Sequence, residues 1–178
     1  EGEGKVRING ATISETEGET ANFNLSGSLF EWVSGTITGE GGLTNTGTFN
    51  IVDGRTKNLR TILNNTGTII QYGGTTLPGS NGGSSNTGSI NNSGTFRKSG
   101  EGTASVNVAF NNNGGTIDAE QGILRLNGGG TNTGGNYTAS EGGFIDYASG
   151  THTFSGTYAG EGEGKVRING ATISETEG

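Results

Sequence analysis

The chain has 178 residues, 38 of them Gly, and a formal net charge of -7. Hydrophobic residues make up only 27% of it, which leaves too little apolar mass for a thick globular core. The acidic balance argues against a nucleic-acid partner. The lack of Cys excludes disulfides and thiolate metal sites. The sequence contains no run of about 18 apolar residues, the length that a membrane-spanning helix needs.

The first 18 residues, EGEGKVRINGATISETEG, return letter for letter at 161–178. The offset is 161 − 1 = 160 residues. We interpret residues 1–160 as one repeat unit and residues 161–178 as the start of the next, identical unit. An engineered duplication of one end is the alternative. The array hypothesis predicts junctions between units at two equivalent sets of residues, namely Lys5, Val6, Ile8 and Ile13, and Lys165, Val166, Ile168 and Ile173.

A shorter phrase, Asn-x-Gly-(Thr/Ser)-apolar, recurs inside the unit. It occupies residues 45–49, 65–69, 86–90, 92–96 and 113–117, with a looser copy at 132–137. Most copies lie about 20 residues apart, and such a period is the signature of a repeat architecture. Asn and Gly favour a turn, and Thr followed by an apolar residue favours the start of a strand.

These signals predict an all-β fold, a parallel β-helix with about 20–23 residues per coil and about seven or eight coils per unit. Disorder is the competing interpretation, since low hydrophobicity and net charge are typical of it, but the apolar residues are strand formers at regular positions. We expect an inward stack of Phe49, Ile69, Phe96 and Ile117, and an amide ladder of Asn45, Asn65, Asn92 and Asn113. Residues 73–85, which include Pro78, predict a loop that bulges from the stack.

The Asn-x-Gly-Thr phrases, and stretches such as FNNNGGTIDAEQGILRLNGGG at 110–130, resemble the parallel β-helix repeats of secreted bacterial adhesins of the filamentous-haemagglutinin and autotransporter type. The resemblance implies export to the cell surface, a rod shape, and adhesive or structural work. It implies no ligand and no catalytic residue.

Signals for chemistry are sparse. The Gly-Gly-x-Gly-x-Asp run of calcium-binding solenoids is absent, so we expect no cofactor, although Glu1, Glu3, Glu161 and Glu163 leave weak divalent cation binding between units open. Asp118 and Glu120 form the one close acidic pair in mid-unit. They would be the catalytic carboxylates if the chain were a polysaccharide-degrading enzyme. His152 is interpreted as an outward strand residue, and not as part of a triad or metal site.

The hypothesis that follows is a structural component of an extracellular filament, stalk or fibre, whose partner is the neighbouring unit of the same filament, and not an enzyme. The alternative is a surface adhesin that binds glycan or another surface through one face. Thr-x-Thr pairs such as Thr44–Thr46–Thr48 leave an ice-binding face as a weaker possibility. Trp32 and the four Tyr residues are expected in or beside the apolar column, with sugar stacking as the other interpretation.

Overall fold

The computed structural model describes residues 4–52, 54–77 and 88–175. Within these residues the chain forms β-strands and no helix. The strands are β1 Val6–Glu15, β2 Ala21–Phe23, β3 Phe30–Gly39, β4 Leu43–Asn45, β5 Thr48–Ile51, β6 Lys57–Arg60, β7 Ile62–Asn65, β8 Thr68–Tyr72, β9 Thr76–Leu77, β10 Ser89–Asn92, β11 Thr95–Ser99, β12 Thr103–Val106, β13 Ala109–Asn112, β14 Thr116–Ala119, β15 Gly122–Leu126, β16 Gly130–Ala139, β17 Gly143–Tyr147, β18 Thr151–Glu161, β19 Lys165–Ile168 and β20 Thr172–Glu175.

The strands wind into a parallel β-solenoid of about eight turns with about 21 residues per turn, which confirms the predicted fold. Strands inside the stack pair in parallel with strands of the preceding and following coils, as β8 does with β5 and β11. The main-chain hydrogen bonds therefore run along the axis of the stack, and equivalent residues lie about 4.8 Å apart.

The solenoid has three faces, which the chain visits in a fixed order. Face 1 contains β2, β4, β7, β10, β13 and β20; face 2 contains β5, β8, β11 and β14; face 3 contains β6, β9, β12, β15, β17 and β19. Four long strands bend around a corner. β16 and β18 run from face 1 to face 2, whereas β1 and β3 run from face 2 to face 3.

The core is a narrow column between the three faces. Phe49, Ile69, Phe96 and Ile117 are fully buried, and strand register places each directly against the next on face 2. The sequence-predicted inward stack therefore lies together in the structure. Trp32 is also fully buried. It lies opposite Ile51, which is two residues after Phe49 on β5 and therefore faces inward as well.

The corner between faces 1 and 2 explains the Gly of the recurring phrase. A Cβ on Gly67 would lie 2.3 Å from the carbonyl oxygen of Gly47, and one on Gly94 would lie 2.1 Å from that of Gly67. Those same two oxygens accept hydrogen bonds of 2.8 Å from the amides of Thr68 and Thr95. The coils approach so closely at this corner that only hydrogen fits in place of a side chain.

Of the loop predicted over 73–85, the structure describes residues 73–77. Residues 73 and 74 form a turn, but β9 follows at once and pairs with β12 on face 3. Leu77 is fully buried there and joins the core, so the loop prediction was wrong for 76–77. Pro78 and residues 79–85, like Asp53 and the phrase residues Asn86 and Thr87, lie outside the described residues.

Candidate functional site: the amide ladder and the terminal coils

Buried Asn side chains form a ladder at the corner between faces 1 and 2. The Nδ2 group of Asn45 donates to Oδ1 of Asn65 at 2.7 Å, and Asn65 donates to Asn92 at 2.7 Å. Each amide also donates to a strand carbonyl of the next coil, such as Asn65 to Thr95 at 3.0 Å. These three residues are fully buried. Because water does not reach their amide groups, the neighbouring coils provide the hydrogen-bond partners.

The fourth rung is Asn112, and the prediction of Asn113 was wrong. Asn92 donates to Oδ1 of Asn112 at 2.8 Å, and Asn112 is fully buried whereas Asn113 is exposed. The run Asn111-Asn112-Asn113 makes the sequence ambiguous. Alternation along β13 decides the outcome, because Phe110 faces inward and the residue two positions later must face inward too.

A second, outward amide ladder was not predicted. Asn91 donates to Asn64 at 2.9 Å, and Asn111 donates to Asn91 at 2.9 Å. The neighbouring inner ladder donates in the opposite direction along the axis. The signal for the outer ladder was the Asn that immediately precedes the inner Asn in three of the coils.

Inward polar residues on face 2 were also missed. Gln71 and Lys98 are fully buried and lie in register with each other. The Lys98 ammonium donates to the carbonyl oxygens of Ser99, Gly100 and Gln121, and burial lowers its pKa. Lys98 therefore ties one corner of its coil to the corner of the coil that follows.

The acidic pair Asp118 and Glu120 lies beside one guanidinium group. Arg97 Nε lies 2.8 Å from Asp118 Oδ2 and 3.2 Å from Glu120 Oε1. Both carboxylates thus face the same cation on the preceding coil. In the described part of the chain, no group of three or more His, Asp or Glu side chains could hold a metal ion.

His152 is buried, so the prediction of an outward residue was wrong. Its ring packs edge-on against Tyr147 at 4.7 Å between centroids, and Nε2 lies 3.2 Å from the Ser149 carbonyl. Burial lowers the pKa of His152. The Tyr147 hydroxyl lies 2.7 Å from that of Tyr137, and burial raises the pKa of Tyr137 to about 12.

The first copy of the duplicated segment forms β1, which pairs with β3. Val6, Arg7 and Ile8 lie opposite Phe30, Glu31 and Trp32 on face 2, and Ile13 lies opposite Ile37 on face 3. Ile8 is buried and Ile13 is half-buried. Lys5 and Arg7 both donate to the Glu31 carboxylate, and the bond from Lys5 is the main cause that holds the pKa of Glu31 below its usual value.

The second copy forms β19 and β20, which pair with β17 and β18. Val166, Arg167 and Ile168 lie opposite Ile145, Asp146 and Tyr147 on face 3, and Ile173 lies opposite His152 on face 1. Lys165, Val166, Ile168 and Ile173 are exposed. Arg167 donates twice to the buried Asp146 carboxylate, at 2.5 and 2.9 Å.

Comparison with protein-family models, with curated proteins and with solved structures found no match for this chain. Of the residues that the structure describes, none belongs to a helix long and apolar enough to cross a membrane. Fold and side-chain geometry are therefore the basis for a functional proposal.

Proposed function

We propose that the chain is a structural component of an extracellular filament or stalk, in which β-solenoid units of 160 residues follow one another end to end. The observation that carries this proposal is the place of the duplicated segment. Both copies are coils of the stack, one at each end, and each pairs with its neighbours through one strand edge.

The packing between coils supports a structural role. Buried amides link four consecutive coils, and parallel main-chain pairing continues from β1 to β20. Such one-dimensional stacks gain stability from contacts between neighbouring repeats, so their length can grow without a thicker core. The extracellular setting rests on the resemblance to secreted bacterial β-helix repeats.

Insertion of one further 160-residue period tests this proposal. Because each coil adds about 4.8 Å, about seven extra coils should lengthen the rod by about 35 Å and leave its cross-section unchanged. Small-angle X-ray scattering measures both dimensions. Two compact particles on a flexible link, or a thicker particle, would contradict the proposal.

An adhesin is the second candidate, and one observation favours it. Thr48, Thr68, Thr95 and Thr116 lie in register along the outside of face 2, where their hydroxyl groups form a regular half-exposed row. A glycan array is the test of this candidate: specific binding that is lost on replacing this row with Ala supports it, and an absence of binding favours the passive rod.

A further inference from the structure

We propose that a single copy of the duplicated segment acts as one coil shared by two successive units, and that the second unit is turned by one face, a third of a turn, about the rod axis. The partner is a second copy of this chain. This inference rests on the proposed end-to-end stacking and adds the register and the rotation of the junction.

The two copies use opposite edges of the same strand sequence. In the described residues, β1 pairs with β3 alone, which follows it in the chain, whereas β19 and β20 pair with β17 and β18, which precede them. One copy placed between β17–β18 of one unit and β3 of the next would therefore have both edges paired.

The same side chains face inward in both settings. Val6 and Ile8 lie over the buried Phe30 and Trp32, and their equivalents Val166 and Ile168 lie over the buried Ile145 and Tyr147. Ile8 is 3% exposed, whereas Ile168 is 66% exposed. The aromatic residues of β3 from the next unit would cover Ile168 as they cover Ile8.

The charged side chains that point away from the apolar column also fit a shared coil. Arg167 holds Asp146 of the preceding coil, and Arg7 holds Glu31 of the following coil at 2.7 Å. A shared coil puts one Arg between these two carboxylates, with Lys165 in the position from which Lys5 reaches Glu31. Direct stacking of one copy on the other would instead put Arg167 on Arg7, and like charges opposite each other are destabilising.

Glu15 supplies a further complementary contact. Its Oε2 accepts a hydrogen bond from the Gly42 amide at 3.2 Å and from the Thr61 hydroxyl at 2.9 Å. Its equivalent Glu175 is exposed at the end of β20. The following unit would bring the same two donors to Glu175.

The rotation follows from the faces that the two copies occupy. Starting from β1 on face 2, the chain returns to face 2 seven times, in β3, β5, β8, β11, β14, β16 and β18, and then moves to face 3 at β19. Val6 and Val166 are thus seven coils and one third apart. Three units make 3 × 7⅓ = 22 whole coils, so a given side face returns to the same direction only in every third unit.

Variants of the full chain test the shared coil. In this chain the first copy covers the edge of β3 and the second copy covers the edge of β17, so each copy blocks an edge to which another molecule could bind. Arg7→Glu puts a carboxylate against Glu31 and should free β3 for the second copy of another molecule. Arg167→Glu should likewise free β17 for the first copy of another molecule. We expect each single variant to associate at about tenfold lower concentration than the original chain, and the double variant to stay monomeric, as measured by sedimentation velocity.

Cysteine pairs in the Arg7→Glu background test the register and the rotation. Thr12 lies opposite Thr36 in the first copy, so Thr172 of one molecule should lie opposite Thr36 of the next, within disulfide range. Oxidation of Thr36→Cys/Thr172→Cys should give covalent oligomers. Thr36 and Arg167 hold the same outward position along face 3. Thr36→Cys/Arg167→Cys therefore brings its cysteines together only where the next unit is not turned, and should stay monomeric.

Single variants that remain monomeric, with the circular dichroism of a folded β-protein, overturn the shared coil while leaving the rod itself intact. Oligomers that cross-link only through Arg167→Cys overturn the rotation. Should Arg7→Glu unfold the chain, Arg7→Gln gives the same comparison without the added charge. A disordered spectrum for the original chain would instead defeat the proposed function.

Discussion

Replacement of Asn112 by Ala would break the amide ladder at its last rung. The Asn112 side chain makes three hydrogen bonds: Oδ1 accepts from Asn92 at 2.8 Å, and Nδ2 donates to the carbonyl oxygens of Gly115 and Gly134 at 3.0 and 3.2 Å. The adjacent Asn113 is exposed and provides a matched control one residue away.

The magnitude follows from these contacts. Each buried hydrogen bond contributes about 1 kcal/mol net to stability, and Asn92 keeps a second acceptor in the Thr116 carbonyl at 3.2 Å. Asn112→Ala should therefore lower the free energy of unfolding by about 3 kcal/mol. Asn113→Ala should lower it by less than about 0.5 kcal/mol, as is usual for surface substitutions.

Urea denaturation followed by far-ultraviolet circular dichroism measures this difference. The transition midpoint should fall for Asn112→Ala and stay in place for Asn113→Ala, with the same slope in both variants. Equal losses, or the larger loss in Asn113→Ala, would refute the assignment of the ladder to Asn112.

Two further predictions concern buried titratable side chains. Lys98→Met should cost about 2 kcal/mol of stability, because the carbonyl groups bound by the ammonium lose their donor. Lys165→Met changes an exposed position and should cost almost nothing. The midpoints of urea denaturation compare the two variants. Burial lowers the pKa of His152 in the folded chain, so the unfolded chain takes up more protons as pH falls below about 6.5. Stability should therefore drop from pH 6.5 towards 5, and thermal melts should show a smaller drop for His152→Leu; an equal drop in both chains would contradict this.

The rhythm of the sequence was sufficient to predict the coil and its length. Asn, Gly and Thr at intervals of about 20 residues mark one corner, and the apolar residue that follows marks the inward position, as Phe49 and Ile69 illustrate. Local turn chemistry and strand alternation determine these features, so no knowledge of distant contacts is required.

Other features depend on which residues the stack brings together. Lys98 and His152 are polar residues that are usually exposed. Their sequence neighbourhoods do not indicate that Lys98 finds carbonyl acceptors inside the stack or that His152 packs against an aromatic ring there. The different faces of the two identical segments were equally hidden. Only strand pairing reveals that the first copy runs from face 2 to face 3, whereas the second runs from face 3 to face 1.

Parallel pairing along the axis also determines how the rod would respond to force. Tension applied at the two chain ends would open one terminal coil at a time, because each coil is held only by its neighbours. A coil of about 21 residues would release about 70 Å of extended chain, so a stalk of such units would yield in many small steps rather than fail in one.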